Sequence, residues 1–340
     1  MTARFPLATS SWDAAEQAAI QRVIASDMYS MGPEVAAFET AFAAFVGTRH
    51  AIMCNSGSSA NLLMVGALRY RGEAPILPGD EVIVPAVSWS TTYAPLQQYG
   101  LRVKFVDIDL ATLNMDLAAL EAAISDRTRL IFAVNLLGNP NDFDAIRGII
   151  DDRPITLIED NCESMGATLR GRQAGTFGAM GSFSAFFSHH ISTMEGGIVV
   201  TDDTELYHIM LSLRAHGWTR NLPKENLVTG TKSDDPFEES FRFVLPGYNL
   251  RPLEMSGAIG QEQLKKLPGL IAGRRTNGAA FQDALGNHPE LMIQAETGQS
   301  SWFGFSLVIR RGSAMRRADL LARLHDLGFE TRPIVSGNFA

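Results

Sequence analysis

Short apolar runs rich in β-branched residues alternate with helical patterns along the first two hundred residues. Strands are predicted at 50–54, 81–85, 102–106, 129–134, 155–159, 181–187 and 197–201, with helices between them such as 59–69, 117–124 and 142–151. This alternation predicts an α/β fold, in which helices cover both faces of a large, mainly parallel sheet. Ligands of such sheets bind at the carboxyl ends of the strands.

The pattern changes after residue 201. A helix at 204–216 precedes a polar segment, 217–243, whose length predicts a functional loop or a mobile insertion. The following pattern predicts helices at 252–267, 269–285 and 318–327, with strands at 302–309 and 330–334. We therefore predict a large cofactor-binding domain over 1–246, N-terminal segment included, and a smaller α+β domain over 247–340. The chain stops in what reads as a connection, so further C-terminal residues are expected.

Composition excludes several classes of protein. Hydrophobic residues make up 46% of the chain and charged residues 19%, which is ordinary globular usage. A net charge of -8 argues against binding to nucleic acid or to an anionic membrane. The N-terminal sequence lacks an apolar signal region and no later run spans a membrane, so a cytoplasmic location is predicted. Cys54 and Cys162 are too few for a four-thiolate iron-sulfur cluster.

Two polar motifs follow predicted strands near the N-terminus. Residues 55–61, Asn-Ser-Gly-Ser-Ser-Ala-Asn, open a helix, and backbone amides at a helix N-terminus make an anion site. The alternative for Gly57 and Ser58 is an ordinary helix cap. Trp89 follows the strand 81–85 and offers an aromatic face for a flat ring, although a lone Trp is more often part of a core.

Two further motifs follow later strands. Asp160 and Glu163 come at the end of the strand 155–159, where the alternative for Asp160 is a helix N-cap. Residues 184–197 read Ser-Ala-Phe-Phe-Ser-His-His-Ile-Ser-Thr-Met-Glu-Gly-Gly, with His189 five residues after Ser184. No metal site is indicated, since Asp107-Ile-Asp109 continues into a sequence typical of a strand exit.

These motifs, in this order, resemble those of the DegT-type nucleotide-sugar aminotransferases, which are fold-type I enzymes of pyridoxal phosphate (PLP). The last motif resembles the segment that carries the family's cofactor-binding lysine, and His189 stands at that lysine's position. An imidazole cannot form a Schiff base. The resemblance therefore implies a cofactor held non-covalently and a base at 189 whose pKa lies near neutrality.

The resemblance also implies which residues hold the cofactor. Trp89 would stack on the pyridine ring, Asp160 would keep the ring nitrogen protonated, and Glu163 would approach the ring hydroxyl, where the family commonly has Gln. Gly57, Ser58 and Ser184 would bind the phosphate. Asn249, in a Gly-Tyr-Asn motif, would reach the phosphate of the neighbouring subunit's cofactor, which implies a homodimer.

Within the family the chain resembles the histidine-bearing dehydratases. They use pyridoxamine phosphate (PMP) to remove the C3 hydroxyl of nucleotide-linked 4-keto-6-deoxyhexoses in deoxysugar biosynthesis of the O-antigen or lipopolysaccharide type, and glutamate regenerates PMP. His189 would take a proton and help the hydroxyl to leave. Met194 stands where these relatives usually have Gly, and His190 is assigned a structural role. The alternatives are an aminotransferase with a displaced lysine and a catalytically silent cofactor-binding homologue.

Overall fold

The computed structural model describes residues 4–339; residues 1–3, part of the N-terminal segment considered above, and residue 340 lie outside the described residues. The strands are β1 (His50–Cys54), β2 (Glu81–Pro85), β3 (Arg102–Val106), β4 (Thr128–Val134), β5 (Thr156–Asp160), β6 (Thr168–Leu169), β7 (Arg172–Gln173), β8 (Gly181–Ser184), β9 (Gly197–Thr201), β10 (Glu225–Asn226), β11 (Gly230–Thr231), β12 (Leu291–Met292) and β13 (Val308–Ile309). Seven of them form one sheet, in the order β1-β9-β8-β5-β4-β2-β3. Only β9 runs antiparallel to its neighbours in this sheet, so the predicted mainly parallel α/β sheet is confirmed.

Helices cover both faces of the sheet. They are α1 (Ala14–Ser26), α2 (Pro33–Val46), α3 (Gly57–Tyr70), α4 (Ser90–Gln98), α5 (Leu117–Ala123), α6 (Phe143–Ile150), α7 (Thr204–Leu213), α8 (Pro236–Ser240), α9 (Glu254–Leu285) and α10 (Arg317–Asp326). Side chains of a strand alternate between faces, so Val82 and Val84 of β2 pack in the core with α3, α4 and α7. Ile83 packs on the opposite face, with α5 and α6. Burial on both faces explains why these strands read as continuous apolar runs.

The C-terminal part differs most from the prediction. The helices expected at 252–267 and 269–285 form the single helix α9, which continues through Pro268. α9 packs closely on α2, where a Cβ on Gly260 would lie 2.8 Å from the Phe38 ring. The predicted division at residue 246 stays a prediction.

Both strands predicted near the C-terminus are largely wrong. Of 302–309, only Val308–Ile309 is a strand, paired with Leu291–Met292, and residues 330–334 form none. Trp302 has a φ of 49°, and side chains bind the nearby carbonyls, so this segment cannot join a ladder. No helix among residues 4–339 is long and apolar enough to cross a membrane.

Candidate active site

A cavity of about 300 Å³ opens beside the carboxyl ends of β5 and β8 and the N-terminus of α3. All predicted site residues except Asn249 line it, namely Gly57, Ser58, Trp89, Asp160, Glu163, Ser184 and His189. Asn249 is exposed and its side-chain oxygen accepts a hydrogen bond from Arg251 Nε. The structure thus brings together residues that are more than one hundred positions apart in the sequence.

Asp160 ends β5 and is only 5% exposed. Its Oδ2 accepts hydrogen bonds from Asn61 Nδ2 and Thr92 Oγ1, both at 2.8 Å, and its Oδ1 accepts one from the Cys162 backbone N–H. These three donors fix the orientation of the carboxylate. No helix begins at Asp160, so the alternative of a helix N-cap does not apply.

Gly57 and Ser58 form the first turn of α3, whose N-cap is Ser56. A Cβ on Gly57 would lie 2.7 Å from Ser184 Cβ and 3.0 Å from Cys162 Sγ, so only glycine lets the turn approach Ser184 this closely. The Ser58 hydroxyl donates to Thr91 Oγ1. Free amides at a helix start, with serine hydroxyls beside them, suit an anion such as phosphate.

Trp89 precedes α4 and is 54% exposed at the cavity. A core tryptophan would be buried, so the alternative of a core position is wrong. The exposed ring leaves an aromatic face available to a flat ligand.

The imidazole of His189 lies between two aromatic side chains. Its ring centroid is 5.0 Å from that of Phe303 and 6.0 Å from that of Phe186. Burial, and then the nearby charges of Arg332 and Arg274, lower the pKa of His189 to about 4. This is below the near-neutral pKa expected from the sequence, and the ring is neutral at physiological pH.

Glu163 lines the same cavity, and the pKa of its carboxyl is raised, whereas the pKa of His189 is lowered. Burial raises the pKa of its carboxyl to about 7, the backbone N–H of Leu137 counteracts this by donating to Oε2 at 3.0 Å, and the negative charge of Asp160 adds to the increase. A carboxyl that is partly protonated near neutrality can donate a hydrogen bond as well as accept one.

His190 is 2% exposed and has the structural surroundings expected of it. Its Nε2–H donates to the Ser301 carbonyl oxygen at 3.2 Å. Burial lowers the pKa of His190 well below the ordinary value, so this ring is also neutral.

Sequence reasoning missed four residues around the cavity: Asn61, Thr92, Phe303 and Arg332. Asn61 carried a signal, because it lies one helical turn after Gly57 on a helix that is otherwise apolar toward the core. Phe303 and Arg332 belong to irregular segments, which give no periodicity from which their position could be inferred.

The residues present fit a PLP-type cofactor. The start of α3 and Ser184 suit its phosphate, Trp89 presents a free face for its ring, and the Asp160 carboxylate suits a protonated pyridine nitrogen. The buried Nδ1 of His189 has no hydrogen-bond partner among residues 4–339, although buried polar atoms normally have one. A polar ligand in the cavity would account for this atom.

Comparisons with known proteins show the family, the fold and the cofactor class. Residues 10–337 match the DegT/DnrJ/EryC1/StrS aminotransferase family. The chain is 62% identical to a GDP-4-keto-6-deoxy-D-mannose 3-dehydratase of Yersinia pseudotuberculosis, over 98% of this chain and 85% of that protein. It superposes with a TM-score of 0.98 on an E. coli GDP-4-keto-6-deoxy-D-mannose-3-dehydratase with bound hydrated PLP, at 61% identity, covering 100% of this chain and 87% of that one.

A second solved structure has the same TM-score of 0.98 and 61% identity, covering 99% of this chain and 87% of that one. It is a GDP-4-keto-6-deoxymannose-3-dehydratase with a trapped PLP-glutamate geminal diamine. The predicted family and the predicted fold are both confirmed. The chain is a member of the DegT/DnrJ/EryC1/StrS aminotransferase family.

Proposed function

We propose that this chain is a PMP/PLP-dependent dehydratase that removes the C3 hydroxyl of a nucleotide-linked 4-keto-6-deoxyhexose. The observation that carries the proposal is a histidine in the cavity at the position of the family's lysine. His189 lines the cavity together with Asp160 and Trp89, and no lysine is among the described residues that line it.

The lysines of the chain are all bonded elsewhere. Lys104 donates to the Ala123 carbonyl, Lys232 to the Leu222 carbonyl, and the other three pair with Asp234, Glu262 and Glu16. An aminotransferase that uses a displaced lysine would need one of these amines at the cofactor. This arrangement argues against that alternative.

PMP supplies an amine for the sugar's C4 ketone and a protonated ring that stabilises negative charge. The chain's own residues supply orientation and proton transfer. Asp160, whose carboxylate is held by three donors, would keep the ring nitrogen protonated, and the start of α3 with Ser184 would hold the phosphate. The imidazole of His189, neutral at physiological pH, accepts a proton at a ring nitrogen and returns it to the C3 hydroxyl as the C–O bond breaks and water leaves.

The products are then a 3-deoxy-4-keto sugar and ammonia, and glutamate restores PMP. We propose GDP as the nucleotide, because the relatives at 62% identity are GDP-4-keto-6-deoxy-D-mannose 3-dehydratases. A relative at 33% identity is the lipopolysaccharide biosynthesis protein RfbH of Salmonella typhimurium, which supports a role in surface polysaccharides. The cytoplasmic location stays a prediction.

We also propose a homodimer with the active sites at its interface. Asn249 is exposed and outside the cavity of its own chain, and with its oxygen bound to Arg251 its side-chain NH₂ faces outward as a donor for a partner's cofactor. Its backbone is held by an isolated β-bridge to Ala215, so the side chain projects from an ordered segment.

The test is incubation of the purified protein with PMP, glutamate and a panel of GDP-, CDP- and dTDP-linked 4-keto-6-deoxy sugars. We expect the GDP sugar to give a 3-deoxy product, with ammonia and 2-oxoglutarate in equal amounts. His189→Asn protein serves as the matched control. Accumulation of a 4-amino sugar that keeps its C3 hydroxyl would instead identify an aminotransferase.

A further inference from the structure

The segment of residues 300–303 ends in Phe303, the one residue of the four that lines the cavity, and the other three are buried behind it. Its backbone carbonyls are bound by side chains rather than by a strand. Arg275 Nε donates to Ser300 at 3.0 Å, and His190 Nε2 donates to Ser301 at 3.2 Å. Arg274 Nη1 donates to Trp302 at 3.0 Å and to Phe303 at 3.2 Å. Four successive carbonyls are therefore fixed by cationic or imidazole donors.

The backbone N–H groups of the segment are fixed as well. Ser301 and Phe303 donate to the carbonyls of Gly138 and Leu137, at 2.9 and 3.0 Å. A Cβ on Gly138, which has a φ of 98°, would lie 2.5 Å from the Trp302 nitrogen, so only glycine permits this approach. Ser300, Ser301 and Trp302 are buried, so these bonds both satisfy their backbone groups and hold the irregular segment in one conformation.

These bonds hold the backbone of the segment, and thereby the position of the Phe303 ring. That ring contacts His189, with centroids 5.0 Å apart, and also His190, at 5.8 Å. The guanidinium of Arg332 lies over the ring, 5.7 Å from its centroid. Phe303 thus lies between the proposed base and a cation, and it covers one side of the base.

We propose that Phe303 is a positioning residue for His189, and that His190 and Arg274 hold its ring where it excludes water from the imidazole and fixes the imidazole's orientation. The inference rests on the proposed function, in which His189 transfers the proton. It assigns a purpose to His190 beyond packing, because His190 both donates its Nε2–H to the Ser301 carbonyl and contacts the Phe303 ring.

Exclusion of water matters because it determines when His189 can accept a proton. The charges of Arg332 and Arg274 also lower the pKa of His189. The other titratable groups that face the imidazole are the neighbouring His190 and the cavity-lining Glu163, Asp160 and Glu195. Removing the Phe303 ring changes none of these charges. A change in the proton affinity of His189 in a Phe303 variant therefore reports what the ring maintains around the imidazole, namely the exclusion of water and the position of the Arg332 guanidinium.

The test follows the His189 imidazole by NMR in the full-length, cofactor-free chain. The chain contains seven histidines, and comparison with His189→Asn protein assigns the signal. We expect wild-type His189 to titrate near pH 4 and Phe303→Ala to raise that midpoint by about one unit or more, toward the ordinary value. Phe303→Leu, which keeps an apolar cover, should stay close to wild type.

Two further variants separate positioning from general destabilisation. Phe305→Ala removes a ring that contacts Phe281 and Trp302 and not His189, so it should leave the midpoint unchanged. His190→Met removes the donor to Ser301 and should raise the midpoint, whereas His190→Gln, which keeps a donor, should restore most of the wild-type value. Thermal unfolding verifies that each variant is folded.

An unchanged His189 midpoint in folded Phe303→Ala protein would overturn the proposal. A shift of the same size in Phe305→Ala would overturn it too. Since the titration needs no turnover, it answers the question even if the protein proves to have another activity. Failure of the proposed function would appear in the product assay and not in this titration.

Discussion

The two walls of the cavity are built in different ways. On the sheet side, Asp160 and Ser184 end strands and are 5% and 6% exposed. On the opposite side, Phe303, Arg332 and Val335 come from irregular segments and are more exposed. The sheet wall can hold a cofactor in one fixed orientation, because strands cannot shift without disturbing the core. The opposite wall decides what reaches the cofactor and how dry the site is.

His189 lies between these walls, and its removal gives the largest expected effect. His189→Asn should lower dehydration about 10²–10⁴-fold, the usual contribution of a general acid or base, while PMP still binds to the intact sheet wall. Product formation and equilibrium dialysis with PMP measure the two effects. His325→Asn, on the exposed face of α10, is the control. Turnover within tenfold of wild type would contradict the assignment of His189 as the base.

The difference between the walls also decided what could be predicted from the sequence. Buried strands are continuous apolar runs, so the end of each strand and the polar residue after it can be identified in the sequence. Asp160 was found in this way. Phe303 was not, because its place depends on side-chain bonds from His190 and Arg274, which lie more than twenty residues away in sequence. Such contacts leave no local pattern.

Four strands of the sheet were predicted with the correct boundaries, whereas the strand predicted at 181–187 ends at Ser184. The predicted strands 50–54, 81–85, 102–106 and 197–201 match β1, β2, β3 and β9. The strand predicted at 302–309 failed because aromatic residues favour strands on average, whereas the φ of Trp302 and the bonds to nearby carbonyls exclude one. Local propensity was overridden by tertiary hydrogen bonding.

Asp160→Asn tests whether the sheet wall controls the cofactor's chemistry. The amide keeps the size of the side chain and loses its charge, so ring protonation weakens and we expect turnover to fall about 100-fold. Asp116→Asn is the matched control, because Asp116 also accepts a backbone hydrogen bond but caps α5 far from the cavity. A loss below about tenfold, roughly 1.4 kcal/mol, would assign Asp160 a structural role instead.

Substitution of Asn249 tests whether the partner subunit contributes a residue to the cofactor site. Asn249→Ala should weaken cofactor binding about tenfold, roughly 1.4 kcal/mol, through loss of a hydrogen bond to a charged phosphate. Mixed dimers of Asn249→Ala and His189→Asn subunits make the test sharper. If Asn249 acts across the interface, one site of each mixed dimer is intact, and activity measured at a PMP concentration that limits the Asn249→Ala protein returns on mixing. If activity does not return in dimers shown to be mixed, Asn249 acts within its own chain or not at all.

Glu163→Gln is expected to have the smallest effect on turnover, because Glu163 acts on the stability of the chain. Its folded-state pKa of about 7 lies above the ordinary 4.5, so the unfolded chain ionises first as pH rises. The stability that the neutral carboxyl contributes is therefore complete below about pH 4.5 and is lost between there and about pH 7.

Glu163→Gln cannot ionise and avoids this loss. In urea unfolding of the cofactor-free chain, the variant should gain roughly 1–2 kcal/mol on wild type between pH 5 and pH 8. Glu121→Gln, on the exposed face of α5, should show the same difference from wild type at both pH values. A Glu163→Gln difference that is equally independent of pH would mean that water reaches Glu163, and that the opposite wall does not keep the cavity dry.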